Sequence, residues 1–477
     1  MSESKTLTST KDLDRVLGKK DFFAIAVGQI IGAGIFSLLP QAIGLTGRSA
    51  SIAFAIAAII TLLKLAPRLF VLGTVRMRGG SYTYIALLST KMLAGAYLII
   101  HILSNISLSM YALSIGEYFG QAVQGINVRV VAVIILTLVM MVNIIGVKNA
   151  SIVQQVLVVC LMIALAVFTA FGIFRVDFTA YVQPQGFLTD GPLGFCSAAA
   201  ILTFACGGAQ NIINFSAEAK DPTKDMPFVI ILSTVVVAVF YAFMAVVATG
   251  VLPIDMVQGQ PLSLVAAEIL PGPLYVFFLI GGAMFALMTT LNAQMGWCTK
   301  PLLQGCVDGW LPKKFGAINS RFKTPHNLIL FFYLVGLLPL IFGFNMNTIS
   351  GTAVFASNIM DVLLAIFVFR LPQVIPTEWN RSRWHASTRV LWFWTIAGTL
   401  ASIFGAYMSL RTMTWPKMAV NLCVCVAALL FGYFREKSGR VDMEVSYAAQ
   451  SYHTDIQGKM EHNPDGIMLH SYDKIIY

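Results

Sequence analysis

Two glycine interruptions within apolar runs constrain this chain more than any other feature. Gly32-Ala33-Gly34 lies inside the stretch from Phe22 to Leu45, and Gly207-Gly208 lies inside the stretch from Phe195 to Phe215. Each glycine in a helix interior costs up to about 1 kcal/mol relative to alanine, and lipid offers no water to satisfy the N–H and C=O groups that an opened helix frees. Unwound backbone at that depth should line a protein cavity. Paired interruptions in corresponding segments of two halves point to the substrate site of a secondary transporter.

The reading needs a membrane protein, and the composition supplies one: 57% hydrophobic and 11% charged residues, against roughly 25% charged in a soluble domain. About 20 apolar residues cross a bilayer core. Twelve such stretches are predicted, near 22–45, 49–73, 93–119, 128–147, 152–174, 194–216, 227–251, 273–299, 327–344, 349–370, 389–410 and 415–434. An even number puts both termini on one side. With the termini cytoplasmic, 25 of the 32 Lys and Arg fall in cytoplasmic segments; Arg48, Arg129, Arg175, Arg411 and Lys417 are external, and Lys64 and Arg68 lie within the second helix. That asymmetry follows the positive-inside rule and accounts for the net charge of +10 without a nucleic-acid partner.

Three units are expected: a cytoplasmic N-terminal segment over 1–20, a twelve-helix domain over 21–434 and a cytoplasmic tail over 435–477. The first twenty residues are polar, and no small-residue cleavage site follows the first helix, so that helix is expected to stay. The tail reads as having little fixed structure, the alternative being an autoinhibitory plug. The seven cysteines show no Cys-x-x-Cys or zinc spacing, so neither a disulfide framework nor a metal is expected.

The run Gly28-Gln29-Ile30-Ile31-Gly32-Ala33-Gly34-Ile35-Phe36 resembles the first-helix signature of the amino acid/polyamine/organocation (APC) superfamily, of amino acid permease type. Arg78-Gly79-Gly80-Ser81-Tyr82-Thr83-Tyr84 is similar to the family's motif after the second helix. Phe204-Ala205-Cys206-Gly207-Gly208 through Glu218, Asp221-Pro222 and Pro227 resembles its sixth-helix pattern. Leu291-Asn292 through Asp308-Gly309-Trp310-Leu311-Pro312 and Thr324-Pro325 resembles its eighth helix and the loop beyond. The resemblance implies an all-α polytopic membrane protein with a LeuT-like fold: about twelve transmembrane helices, an inverted five-plus-five repeat and two extra helices, with helices 1 and 6 broken.

An unwound helix offers both signs of partial charge. The half-helix restarting at Ala33, Gly34 and Ile35 presents N–H groups and the positive dipole end to a carboxylate, worth about 0.5 to 2 kcal/mol. Carbonyls at Ile30 and Ile31, beside Gly32, and along Phe204, Ala205 and Gly207, next to Gly208, suit an α-ammonium group. By resemblance, Phe204 is the aromatic gate over the substrate.

Several positions depart from the family pattern. Ala33 stands where relatives usually carry Ser or Thr, Ala209 where some place an aromatic, Gln210 where certain antiporters have a glutamate, and Leu161 where some have a lysine. Lys64, Pro67 and Arg68 replace a Tyr-Ala-Glu run. Thr289 and Thr290 either offer oxygens to a sodium ion or pack. Asp361, costly at about 2.5 to 3.5 kcal/mol in a membrane helix, is either a proton carrier or one half of a salt bridge. His101 either titrates near neutrality or caps a packed contact. Asn105, Asn292 and Asn358 either line the pocket or join helices. Glu218 and Lys220 are read as a structural or gating ion pair.

No H-E-x-x-H, G-x-S-x-G or P-loop motif occurs, which argues against an enzyme or an ATP-driven pump. The expectation is a secondary active transporter, a proton symporter or exchanger without cofactor, for a neutral amino acid in a bacterial inner membrane. The alternatives are a carrier of a cationic amino acid or polyamine, a passive channel, and a non-transporting amino acid sensor.

Overall fold

Helix after helix follows from the apolar runs. The computed structural model describes residues 9–443 apart from 33, 123–124, 184–185, 345 and 412, and beyond 443 only the backbone of short strands. The principal elements are α1 (Lys19–Ile30), α2 (Leu39–Thr46), α3 (Ala50–Leu72), β1 (Val75–Met77), α4 (Ser81–Leu88), α5 (Lys91–Ser104), α6 (Ser107–Ala122), α7 (Val128–Ile144), α8 (Val147–Ile173), α9 (Gly191–Cys206), α10 (Pro222–Gly250), α11 (Phe285–Trp297), α12 (Thr299–Val307), α13 (His326–Ile341), α14 (Met346–Ile366), α15 (Pro376–Arg381), α16 (Thr388–Arg411), α17 (Trp415–Lys437) and β2 (Val445–Ala449).

Nine helical segments among the described residues are long and apolar enough to cross a membrane. The difference from the twelve expected stretches has a local cause in each case. The first stretch is broken between α1 and α2, leaving two pieces of 12 and 8 residues. The stretches at α7 and α13 form apolar helices of 17 and 16 residues, at the short end of the range of lengths that cross a bilayer. The chain is thus a multi-pass membrane protein. The long third stretch is jointed: Asn105 N–H donates to the His101 carbonyl at 3.3 Å as α5 ends, and α6 restarts at Ser107.

Polar side chains inside the bundle are spent on one another, as lipid demands. Asn143 Nδ2 on α7 donates to Asn292 Oδ1 on α11 at 3.0 Å, and Asn292 Nδ2 donates to Gln154 Oε1 on α8 at 3.0 Å. His101 Nε2 donates to the Cys298 carbonyl at 2.8 Å, while Gln294 Nε2 donates to Asn105 Oδ1 at 2.9 Å and to Ser107 Oγ at 2.7 Å. Asn358 Nδ2 reaches the Gly405 carbonyl on α16 at 3.4 Å. His101 and the three asparagines thereby act as helix-to-helix contacts.

Lys64 and Arg68 sit one turn apart on α3 and so face the same neighbour. That neighbour is Asp361 on α14: Lys64 Nζ lies 3.2 Å from Oδ2, and Arg68 Nη2 donates to Oδ1 at 2.5 Å. The salt-bridge alternative for Asp361 is the arrangement present, and it explains the two cations within the second stretch.

The segment before α1 is anchored. Leu17 N–H donates to the Glu218 carbonyl at 3.0 Å, and Lys220 N–H donates back to the Leu17 carbonyl at 2.9 Å. Arg76 on β1 donates to the Ala219 and Lys220 carbonyls at 3.0 and 2.8 Å. Burial, then the neighbouring charges of Arg15 and Arg78, pull the Arg76 guanidinium down to about 10. The expectation of a tail without fixed structure falls in part outside the described residues, at 444, 450–451, 455–459, 463–467 and 470–477. In the described part, β2 pairs antiparallel with β1, Val75 opposite Ala449.

Removing one partner of a buried charge cluster costs about 3–5 kcal/mol, whereas an apolar replacement of the whole cluster is often neutral. Asp361→Asn is therefore expected to lower the melting temperature in detergent clearly. The combined Lys64→Leu, Arg68→Leu and Asp361→Leu protein should melt near the parent, as followed by intrinsic fluorescence.

Candidate functional site at the helix breaks

Why α1 stops at Ile30 is visible in its last hydrogen bonds. Ile31 N–H still reaches the Val27 carbonyl at 2.8 Å, but Gly32 N–H turns to the Ile30 carbonyl at 3.0 Å, and the chain resumes as a wide helical turn over Gly34–Leu38. The second break is sharper. Gly207 N–H donates to the Phe204 carbonyl at 3.2 Å, Gly208 takes a φ of +124°, and a tight helical run follows over Ala209–Glu218. A φ of that sign is open to glycine and strained for other residues.

The two breaks touch through their main chains. A β-carbon on Gly208 would lie 2.4 Å from the Gln29 carbonyl oxygen and 3.1 Å from the Ile30 nitrogen, and one on Gly34 would lie 2.8 Å from the Ala205 α-carbon. Glycine is needed at both because backbone meets backbone. The structure thus brings Ile30, Gly34, Ala205 and Gly208 together, with Ile31, Gly32, Ile35 and Gly207 adjoining in the chain. Ala33 lies outside the described residues. Phe204, on the last turn of α9, keeps 42% of its surface exposed.

Four neutral side chains tie the breaks to the surrounding helices, and the sequence reading assigned none of them. Gln29 Nε2 donates to the Thr290 carbonyl at 2.8 Å, while its Oε1 accepts from Asn211 Nδ2 at 3.2 Å and from Trp297 Nε1 at 3.1 Å. Tyr241 on α10 donates its hydroxyl to the Ile30 carbonyl at 3.1 Å. One of the expected ammonium acceptors is therefore shared with a tyrosine. The signal was present in the amide inside Gly28-Gln29-Ile30, a polar group in an otherwise apolar run.

The coupling candidates divide by position. Thr289 and Thr290 adjoin the first break: their hydroxyls donate to the Gly28 carbonyl at 3.2 and 2.8 Å. A β-carbon on Gly32 would sit 2.5 Å from Thr290 Oγ1, so α11 lies directly against the first break. Gln210 adjoins the second break, where its Oε1 accepts the Gly208 N–H at 2.9 Å. Among the described residues, Asp361 finds its hydrogen-bond and ion-pair partners in Lys64 and Arg68, not at either break.

The end of the molecule bearing the N-terminal segment is held by charge. Glu218 pairs with Lys300 on α12 at 2.7 Å, which corrects the expected partner, Lys220; the Lys220 backbone instead joins Leu17 and Arg76. Asp21 Oδ1 accepts from Ser151 at 2.6 Å, Gln155 at 2.9 Å and Lys148 at 3.2 Å. Burial alone raises the Asp21 carboxyl, but the Ser151 hydroxyl, the Gly18 N–H and the hydrogen bond and charge of Lys148 hold it below its usual value.

The profile of the amino acid permease family matches residues 17–429. The chain belongs to the amino acid permease family. The permease is 26% identical over 353 residues to a branched-chain amino acid permease of Bacillus subtilis (strain 168), covering 68% of this chain and 73% of that one. It is 27% identical over 350 residues to a methylthioribose transporter of the same organism, covering 67% and 73%. With cationic amino acid transporter 7, chloroplastic, of Arabidopsis thaliana it shares 27% over 352 residues, covering 68% and 60%. The family span takes in both breaks of the permease and every contact between them.

Gly208→Ala is expected to be destabilising by at least about 1–2 kcal/mol from the backbone conformation alone, with the overlap on Gln29 added. Its melting temperature should fall well below that of Gly207→Ala, a position with no strained φ, when both are measured side by side in detergent.

Proposed function

We propose that this permease is a secondary carrier of a neutral amino acid, working by alternating access around the two broken helices. The observation that carries the proposal is the main-chain approach of Gly34 to Ala205 and of Gly208 to Gln29. A helix that restarts leaves first-turn N–H groups without intrahelical acceptors, which suits a carboxylate, and one that stops leaves carbonyls for an ammonium group. On this reading the twelve apolar stretches form an inverted five-plus-five repeat with two further helices, both termini are cytoplasmic, and the membrane is a bacterial inner membrane.

A neutral side chain is favoured by what surrounds the breaks. Gln29, Gln210, Asn211, Tyr241, Thr289, Thr290 and Trp297 carry no charge, while Asp361 and Glu218 are each committed to basic partners. A dibasic cargo would lack a carboxylate there. The named cargoes of the relatives, branched-chain and cationic amino acids and methylthioribose, leave the cargo to be decided by this chain's own pocket. With Asp361 held by two cations, exchange is favoured over proton coupling through that carboxylate.

Uptake into proteoliposomes of labelled amino acids, with and without internal unlabelled substrate and with pH or sodium gradients, tests the proposal. The expected result is saturable, stereoselective uptake of a neutral amino acid, accelerated from the inside by the same compound. Non-saturable flux would favour a channel, and no flux through folded protein a sensor.

Gly34→Leu should abolish binding while membrane insertion is retained, and Phe204→Ala should slow turnover. Unchanged kinetics in the second variant would remove Phe204 from the gate.

A further inference from the structure

A cavity of about 510 Å³ opens on the outer surface of the bundle, away from the helix breaks, lined by Thr223, Lys224, Phe228, Leu232, Arg383 and Trp384 among others. Its size falls in the roughly 300–1,000 Å³ range of small-molecule sites. One end is basic. Among the described residues, Lys224 and Arg383 line it and no carboxylate does, and Lys19 stands beside it with its ammonium 3.6 Å from the Phe228 ring centre. Asp225, the residue after Lys224, and Asp221, three residues before it, are the acidic groups nearest in the chain. Lys19 and Lys224 both act on Asp225.

The other end is apolar and continuous with the flank of α10. Phe228, Leu232, Val235, Val239 and Phe243 are all exposed, by 38 to 51%, and recur at the spacing of one helix face. From Phe228 to Phe243 that strip runs about 22 Å at the α-helical rise, more than half of the roughly 30 Å hydrocarbon core. It is long enough to carry an acyl chain of one leaflet.

The opposing wall is built rather than incidental. Ser382 Oγ donates to the Gly73 carbonyl at 3.0 Å, and Trp384 N–H donates to that same Oγ at 3.0 Å. The Trp384 ring covers Gly73 so closely that a β-carbon there would lie 2.2 Å from it. The indole is thus fixed at the junction of the basic and apolar ends, where tryptophan is favoured in membranes. Basic pockets between membrane helices on the cytoplasmic side take anionic head groups.

We propose that this cavity binds an anionic phospholipid of the adjoining leaflet, its phosphate against Lys224 and Arg383 and one acyl chain along Phe228, Ile231, Leu232 and Val235. The site stands apart from the helix breaks, so it holds whatever the permease carries.

Native mass spectrometry of the full-length protein, purified with equal amounts of phosphatidylglycerol and phosphatidylcholine, tests it without reference to transport. The expected result is selective retention of phosphatidylglycerol, falling about fivefold for each cation lost in Lys224→Gln and Arg383→Gln. Val235→Trp, which keeps both cations and obstructs the acyl track, should reduce retention of both lipids while the protein stays monodisperse. Equal retention of the two lipids by the parent protein, or selectivity unchanged in both glutamine variants, would overturn the proposal.

Discussion

Backbone meeting backbone at the two helix breaks is the contact on which the rest of the arrangement depends. Lipid forbids exposed, unsatisfied peptide groups, so a helix can open at this depth only if protein covers it. Gly208 lets the second break lie against Gln29 and Ile30, and Gly34 lets the first lie against Ala205. Any side chain at either position separates the two and leaves polar groups facing hydrocarbon. The amide of Gln29, the hydroxyl of Tyr241 and the indole of Trp297 complete the cover.

A second constraint is that ionised groups inside the bundle must be matched. Glu218 and Lys300, only 1 and 3% exposed at their side chains, fasten the run after the second break to α12. Asp21 fastens the start of α1 to α8 through Lys148, Ser151 and Gln155. Both broken segments are therefore fixed by charge at the same end. At the breaks themselves the side-chain contacts are neutral and individually modest, on the order of 1 kcal/mol each. Firm attachment at one end with lighter contacts at the middle fits the alternating access proposed for this protein.

Much of this was legible because glycine has few reasons to sit in a membrane helix. The breaks at 32–34 and 207–208 announce themselves, and the apolar runs locate the helices around them. What the sequence hid were partners remote along the chain. Lys64 and Arg68 made no sense without Asp361, 293 residues from Arg68. Glu218 was matched with nearby Lys220, when its partner lies 82 residues away. Tyr241 and Trp297 were invisible for another reason: an aromatic in an apolar helix usually packs, and only the position of its polar atom shows otherwise. The helix count shows the limit of length arguments, since α7 and α13 are apolar yet short and the first stretch is divided in two.

The cluster of Lys64, Arg68 and Asp361 carries two positive charges against one negative. The two positive charges sit on α3 and the negative one on α14, so the cluster as a whole keeps one net positive charge. A unit charge carried across the whole membrane exchanges about 2.3 kcal/mol with the field for every 100 mV, and a partial displacement exchanges a proportionate share. Any movement of α3 along the membrane normal thus does electrical work even when the cargo is a zwitterion with no net charge of its own, so the cycle of such a protein would feel membrane voltage through its scaffold.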